Sequence, residues 1–377
     1  MEVVEGGLFT TVQDLGRYGY QRYGVPVSGA MDPYALRLSN VLLGNPEGAA
    51  ILEITLVGPK LRFLADTVIA MGGADLVPRL DGQHVPIWRV LKINGGSLLS
   101  FDGPMAGMRT YLAVPGGIDV PTIMGSKSTY VRGTLGGFQG RILKPGDRLL
   151  ALPDGNDPSP TGTRVPSHLI PTYGHEHRLR VVMGPQADAF TPEGIATFLS
   201  STYTVSRQSD RVGYRLEGPA INHLKGADII SDGIPFGAVQ VTGDGLPVVL
   251  MADRGTTGGY TKIAAVISVD IGKLAQAIPG DKVTFQAVSM EEAHRHLKEQ
   301  ERRLQEFKGR VDRAREMGPS GLRVMVDSQA FEVTGDGGDA LTQVEPLQGK
   351  PQSSRRTVTA TVNGRSYTFE VEVEEPE

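Results

Sequence analysis

Pro247-Val-Val-Leu-Met-Ala-Asp-Arg-Gly-Thr-Thr-Gly-Gly-Tyr260 is the stretch on which the reading of the fold turns. The apolar run Pro247 to Met251 has the length of a buried strand and leads straight into the charged pair Asp253 and Arg254. Gly255, Gly258 and Gly259, set between threonines, then form a loop whose main chain can approach a ligand closely. A rigid strand that delivers charge to a glycine-rich loop is where chemistry usually sits on a β scaffold.

The same punctuation continues outward in both directions. The 377 residues include 49 glycines and 25 prolines, a glycine share about twice the usual ~7%. Without a collagen period, so many turns mean short strands and a mainly β architecture. At 40% hydrophobic residues the chain can bury a sizeable core. Two segments end alike, Lys144-Pro-Gly-Asp-Arg-Leu-Leu150 and Ile278-Pro-Gly-Asp-Lys-Val-Thr284, each a turn feeding a strand. The repetition reads either as reuse of a common turn or as two related barrel-like modules in tandem. The divisions expected are an N-terminal β-barrel domain over 1–155, a linker over 156–172 and a second barrel over 173–288. A charged amphipathic helix over 289–317 and a C-terminal extension over 318–377 follow.

Helices are few. Asp32 caps a helix with Pro33 at its first position, and Gly44 closes it. Thr191-Pro192 opens a second by the same logic, and Asp270 is expected to cap a third that runs through Leu274 to Ala277. Ala50 to Phe63 is strand-like. In the long charged segment, Ser289 with Glu292 makes a capping box. There Ala293, Leu297, Leu304, Phe307, Val311 and Ala314 fall on a heptad seam that can pack on the body or on a partner. In the extension, Asn363-Gly364 joins two strands as a type I′ hairpin, with Val358 and Ala360 opposite Phe369 and Tyr367.

Several chemistries are excluded. Zero Cys removes disulfides, thiolate nucleophiles and Cys-ligated metals. A net charge of −4 gives no footprint for nucleic acid or an anionic membrane surface. The acidic start lacks a signal peptide, and no apolar run spans a bilayer, so the chain is expected in the cytoplasm. Gly125-Ser-Lys-Ser-Thr129 fails as a P-loop, because Ser126 and Pro121 stand where its two glycines should be. No Gly-x-Ser-x-Gly elbow or His-Glu-x-x-His helix occurs. His175-Glu-His177 reads as a solvated turn rather than a metal pair, so no metal is expected.

Three stretches combine Gly with charged and hydroxyl groups beyond what packing demands. They are Thr11 to Asp32, Gly125 to Thr129 with Gly136-Gly137 and Arg141, and Ser209 to Leu216 taken through Gln240 to Tyr260. Within them Thr11-Val-Gln-Asp-Leu-Gly-Arg17, Gly29-Ala-Met-Asp32, Gly125-Ser-Lys-Ser-Thr129, Gly184-Pro-Gln186, Ser209-Asp-Arg211, Gly213-Tyr-Arg-Leu-Glu-Gly218 and Gln240 to Tyr260 carry a resemblance. Taken in order over about residues 5 to 286, they are similar to the KipA family. It is also called the biotin-dependent carboxyltransferase family, the second component of allophanate hydrolase, or the C component of bacterial 5-oxoprolinase.

The resemblance implies two cyclophilin-like β-barrel domains and a partner of the KipI type, the B component. It leaves three activities open. As the C component of a 5-oxoprolinase, the chain would act with the A and B components to open the lactam of 5-oxoproline at the expense of ATP, bound at a shared or partner site. As a carboxyltransferase it would move a carboxyl group from carboxybiotin to urea or another small amide. As a regulatory protein it would only bind its KipI-type partner. The first two share the activation of a poorly nucleophilic amide. Arg211, Arg254, Lys127 and Thr257 would then serve the oxygen or the transferred group, and Asp253 or Gln240 would accept the N–H. Ser128, Gly258, Gly259, Tyr260, Tyr214, Arg17 and Asp32 are expected to line the substrate. Thr359 to Glu372 resembles the opening strands of a biotin carrier domain, yet no Met-Lys pair occurs to carry biotin.

Overall fold

In a computed structural model, residues 1–152 and 158–315 are described in full, and beyond them only the backbone of Glu316 and of strands within 322–374. The first unit contains β1 (Glu2–Glu5), β2 (Phe9–Gln13), α1 (Pro33–Leu43), β3 (Ile51–Thr55), β4 (Lys60–Arg62) and β5 (Thr67–Asp75). β6 (Pro78–Leu80), β7 (Gln83–His84), β8 (Val90–Ile93), β9 (Leu98–Phe101) and β10 (Ala106–Ala113) complete it. These strands form two five-stranded sheets, β1-β4-β9-β6-β7 and β2-β3-β10-β5-β8. Val3, Leu61 and Leu99 of one sheet meet Leu52, Ile69 and Leu112 of the other in a single core, the sandwich solution for two half-apolar sheets.

The second unit contains β11 (Glu176–Met183), α2 (Pro192–Ser200), β12 (Tyr203–Val205), β13 (Gly213–Glu217), β14 (Asp228–Gly233) and β15 (Ala238–Val241). β16 (Pro247–Leu250), β17 (Thr257–Tyr260), β18 (Lys262–Val266), α3 (Ile271–Ala275) and β19 (Lys282–Ala287) follow. Seven of these strands close a barrel in the order β11-β18-β15-β16-β13-β12-β19. The seam is the parallel pairing of β19 with β11, and closure leaves no free edge. Tyr214, Leu216, Val239, Val241, Val249 and Met251 point inward, so alternate residues of the same strands face out. β14 and β17 pair only with each other.

The mainly β architecture with few helices is as the composition implies. α1 is capped by the Asp32 side chain, which accepts from Ala35 N, and ends on left-handed Gly44. Thr191 caps α2 through Gly194 N. Asp270 differs from expectation: it makes no side-chain cap bond to α3. Its carboxylate instead accepts Arg180 Nε at 2.8 Å and Nη2 at 2.7 Å, because a guanidinium satisfies a buried anion better than one backbone N–H. Of the two histidines, one differs. His177 is buried on β11 and reaches Asp281 at 3.1 Å, whereas His175 stands exposed in the bend before the strand, as expected, and reaches the same carboxylate at 2.7 Å. Among the described residues no cluster of His, Asp or Glu could hold a metal. The two Pro-Gly-Asp turns are built alike, with Asp147 accepting from Lys144 N and Asp281 from Ile278 N.

Residues 158–172, a linker on composition, lie along the first unit, with Val165 N donating to Trp88 O and Leu169 buried in the α1 core. α4 (Met290–Glu316) docks Leu304, Phe307 and Val311 on the outer face of α1, each such burial contributing about 1.5–3 kcal/mol. Ser289 and Glu292 close the capping box in both directions at 3.1 Å. The extension contains β20 (Leu322–Val326), β21 (Gln329–Gly335) and β22 (Leu341–Pro346) in one sheet, and β23 (Ser353–Val362) paired with β24 (Arg365–Glu374). In that hairpin Val358 opposes Phe369 and Ala360 opposes Tyr367; the Asn363-Gly364 turn lies outside the described residues. No helix among the described residues is long and apolar enough to cross a membrane.

Candidate functional site

The two units are joined by a buried polar lock centred on Arg211. Its Nε and Nη2 donate to Asp253 at 2.9 and 3.0 Å, Nη2 also donates to Gly29 O at 2.6 Å, and Nη1 donates to Glu53 of β3. Arg211 and Asp253 are each 6% exposed and Glu53 is fully buried. Burial alone would lower the Arg211 pKa, but Asp253 and Glu53 beside it raise it above the ordinary value. Glu53 is satisfied further by Met31 N and Tyr111 Oη, both at 2.8 Å. Two more cross-links flank the lock. Arg109 donates to Tyr214 Oη at 2.7 Å, and Gln276 Nε2 donates to Asp32 at 3.0 Å. Burial raises the Asp32 pKa, against the hydrogen bonds from Gln276, Ala35 and Tyr173. Arg211, Asp253, Tyr214 and Asp32 are thus brought together, and their polar atoms are engaged by protein.

Beside the lock runs a cleft of about 330 Å³ on the outer face of the barrel, lined by Gln240, Tyr260, Gly213, Arg215, Asp210 and, from the first unit, Arg132. The alternation that sends Tyr214 and Val239 inward sends Arg215 and Gln240 into this cleft. Arg132 crosses from the first unit to bond Asp210 at 2.7 Å. Gln240 is 6% exposed. Its Nε2 makes one long bond to Tyr260 O, 3.4 Å, and its Oε1 accepts none among the described residues. Thr257, Gly258 and Gly259 belong to β17, which covers this region: a Cβ on Gly258 would stand 2.7 Å from Gln240 Nε2. Of the residues expected to handle substrate, Gln240 and Tyr260 line the cleft together.

Lys127, Ser128 and Arg17 lie elsewhere, in a loop organised by Asp14. The Asp14 carboxylate accepts Lys127 N at 2.6 Å, Ser126 Oγ at 2.7 Å, Gly16 N at 2.8 Å and Ser128 Oγ. A side-chain anion therefore occupies the donors that a phosphate would need. Arg17, fully buried, donates to Ile123 O and Ser128 O at 3.0 and 2.8 Å, and its Nη1 has no partner. Arg254 stands apart from both groups, donating to Ile234 O at 3.0 Å and Met251 O at 3.2 Å.

No local signal in the sequence singles out Glu53, Arg109, Asp14 or Arg132. Glu53 is flanked by Ile51-Leu52 and Ile54, which reads as a strand with one outward polar residue. A buried polar partner on another unit leaves no local signature. Asp14 belongs to the motif Thr11 to Arg17, but its target lies 113 residues away.

Residues 23–287 match the family described as carboxyltransferase domain, subdomain A and B. The C component of 5-oxoprolinase from Escherichia coli (strain K12) is 38% identical over 312 residues, 82% of this chain and 98% of that protein. The urea amidolyase of Saccharomyces cerevisiae is 38% identical over 316 residues, 79% of this chain but 17% of that protein. In structure, Kluyveromyces lactis urea carboxylase superposes with a TM-score of 0.78 at 33% identity, over 89% of this chain and 32% of that one.

Proposed function

The chain belongs to the carboxyltransferase family of subdomains A and B, and from that premise we propose that it is the amide-activating C component of an ATP-dependent 5-oxoprolinase. The observation that carries this reading is the buried Gln240 in the cleft, whose Oε1 has no partner among the described residues, in a chain 38% identical to a 5-oxoprolinase C component. The cleft supplies the chemistry. The side-chain amide of Gln240 offers one acceptor and one donor side by side, the complement of the N–H and C=O of a lactam. Two such bonds fix the amide plane. Donation to the carbonyl oxygen stabilises charge as it develops there, and acceptance from N–H holds the nitrogen in place. Arg211 and Asp253 act at one remove, holding the units so that Arg132 and Gln240 face each other across the cleft.

ATP is required for this activity, and the residues near Gly125 do not fit its phosphates, since Asp14 already takes the Lys127 N–H and both serine hydroxyls. Nucleotide is accordingly assigned to the partner A and B components or to a surface shared with them. The second reading, carboxyl transfer to urea, is supported by the structural likeness to urea carboxylase, which superposes with a TM-score of 0.78 over 89% of this chain. Reconstitution with the A and B components tests the choice. Under the first reading, ATP-dependent glutamate formation from 5-oxoproline depends on this chain. Carboxylation of urea, with no effect on 5-oxoproline, would favour the second.

A further inference from the structure

The cleft beside the lock is ordered across three neighbouring strands. Arg215 of β13 and Gln240 of β15 are both register partners of Val248, on the β16 strand between them, and all three residues line the cleft. Adjacent strands lie about 4.8 Å apart, so the main chain of Arg215 stands about 10 Å from that of Gln240. A Cβ at position 213 would come to 3.0 Å from Val248 Cγ1 and 3.1 Å from Leu250 Cδ2, so Gly213 keeps these two aliphatic groups clear. Across the cleft floor the order is therefore amide, aliphatic patch, guanidinium.

The guanidinium of that row has no partner. Arg215 is exposed, and its side chain makes no hydrogen bond or ion pair among the described residues. The other charges of the cleft are taken by each other: Asp210 Oδ2 accepts Arg132 at 2.7 Å, while Oδ1 accepts Val212 N at 2.8 Å and Gly213 N at 3.2 Å. Asp244 is close enough to feel Arg215, but Thr242 Oγ1 and Leu246 N hold its carboxylate, and it does not line the cleft. Arg132 and Arg215 against Asp210 leave the lining with positive charge in excess. An exposed arginine is ordinarily a solvated one; this one faces a concave site whose other end is a buried amide with an unpartnered oxygen.

Resting on the reading of Gln240 as the amide receptor, we propose that Arg215 sets the substrate class: it receives the carboxylate of a small lactam that bears one beside its amide. Gln240 takes the amide, Val248 and Leu250 underlie the ring methylenes, and the planar fork of Arg215 takes the two carboxylate oxygens. One unpaired cation matches one negative charge, whereas a neutral amide such as urea leaves it without a partner. A cleft of about 330 Å³ is at the small end of ligand pockets, as a single-ring ligand requires.

Calorimetric titration of the full chain with 5-oxoproline, 2-pyrrolidinone and cyclopentanecarboxylate separates the two ends of the row, because the second lacks the carboxylate and the third lacks the amide. 5-Oxoproline is expected to bind about tenfold more tightly than 2-pyrrolidinone, the effect of one charged hydrogen-bonded pair at an open site. Arg215→Met should weaken 5-oxoproline and cyclopentanecarboxylate about tenfold and leave 2-pyrrolidinone unchanged. Gln240→Ala should weaken both lactams and leave cyclopentanecarboxylate unchanged. A merely structural arginine would move all three ligands together. Equal binding of the two lactams, or parental affinity for 5-oxoproline in Arg215→Met, would overturn the proposal; if Gln240→Ala still weakened both lactams, the amide site itself would stand. Absence of binding by either lactam would overturn this inference and the amide site together.

Discussion

Arg211 bonds two carboxylates, Asp253 and Glu53, and Gly29 O while buried. Removing it leaves Asp253 without its cation and Glu53 with only Arg109, at 3.9 Å. Arg211→Ala is expected to cost about 3–5 kcal/mol in denaturant unfolding, and Arg211→Lys to recover little, since an ammonium cannot reproduce the fork. Asp281 makes a pH-dependent contribution. Burial would raise its pKa, but bonds from Ile278 N, His175 and His177 bring it below the ordinary 3.8. A depressed carboxylate stabilises above its unfolded value and loses that contribution as pH falls through the folded one. Melting temperature should therefore fall more steeply below about pH 4 in the parent than in Asp281→Asn; parallel curves would contradict the assignment. At this scale the sequence is partly legible. Asp253 and Arg254 stand out as a charged pair after an apolar run, but their fates diverge, one into a lock and one onto main-chain oxygens. Nothing local to residues 253 and 254 encodes that Arg211 and Glu53 converge on the first and not the second.

The elements with local signals are those the sequence reveals. α1, α2 and α4 each carry a side-chain cap within four residues, and each is capped as expected. Asp270 carries the same signal and bonds Arg180 instead, because a partner ninety positions away outweighs a local N–H. The seam of α4 illustrates the same limit: Leu304, Phe307 and Val311 are buried on α1, while Leu297 is 41% exposed. Periodicity defines the stripe but not how much of it is covered. Phe307→Ala is expected to cost about 3–5 kcal/mol and to increase amide exchange in α4 before the barrel opens. Ser289→Ala should cost about 1 kcal/mol and increase exchange in the first turn of α4 only. Uniform loss of protection across the chain in either variant would mean that α4 is not a separable layer.

For the whole molecule, composition is enough for a mainly β chain, and the paired Pro-Gly-Asp turns recur with the same Asp-to-main-chain bond. How the units meet is not legible, because Arg211 of the lock reaches Glu53 and Gly29 across 158 and 182 residues, and Arg132 of the cleft reaches Asp210 across 78. In the proposed reading function follows from that assembly, because the outer face of the barrel and Arg132 of the other unit line one cleft. Everything proposed for the reaction rests on Gln240 holding the amide in this cleft. The most direct measurement is kcat/KM for ATP-dependent glutamate formation by Gln240→Ala, reconstituted with the A and B components. The expected result is a fall of about 10- to 100-fold, the loss of one to two hydrogen bonds in the transition state, with an unchanged melting temperature. Parental kcat/KM in that variant would contradict it.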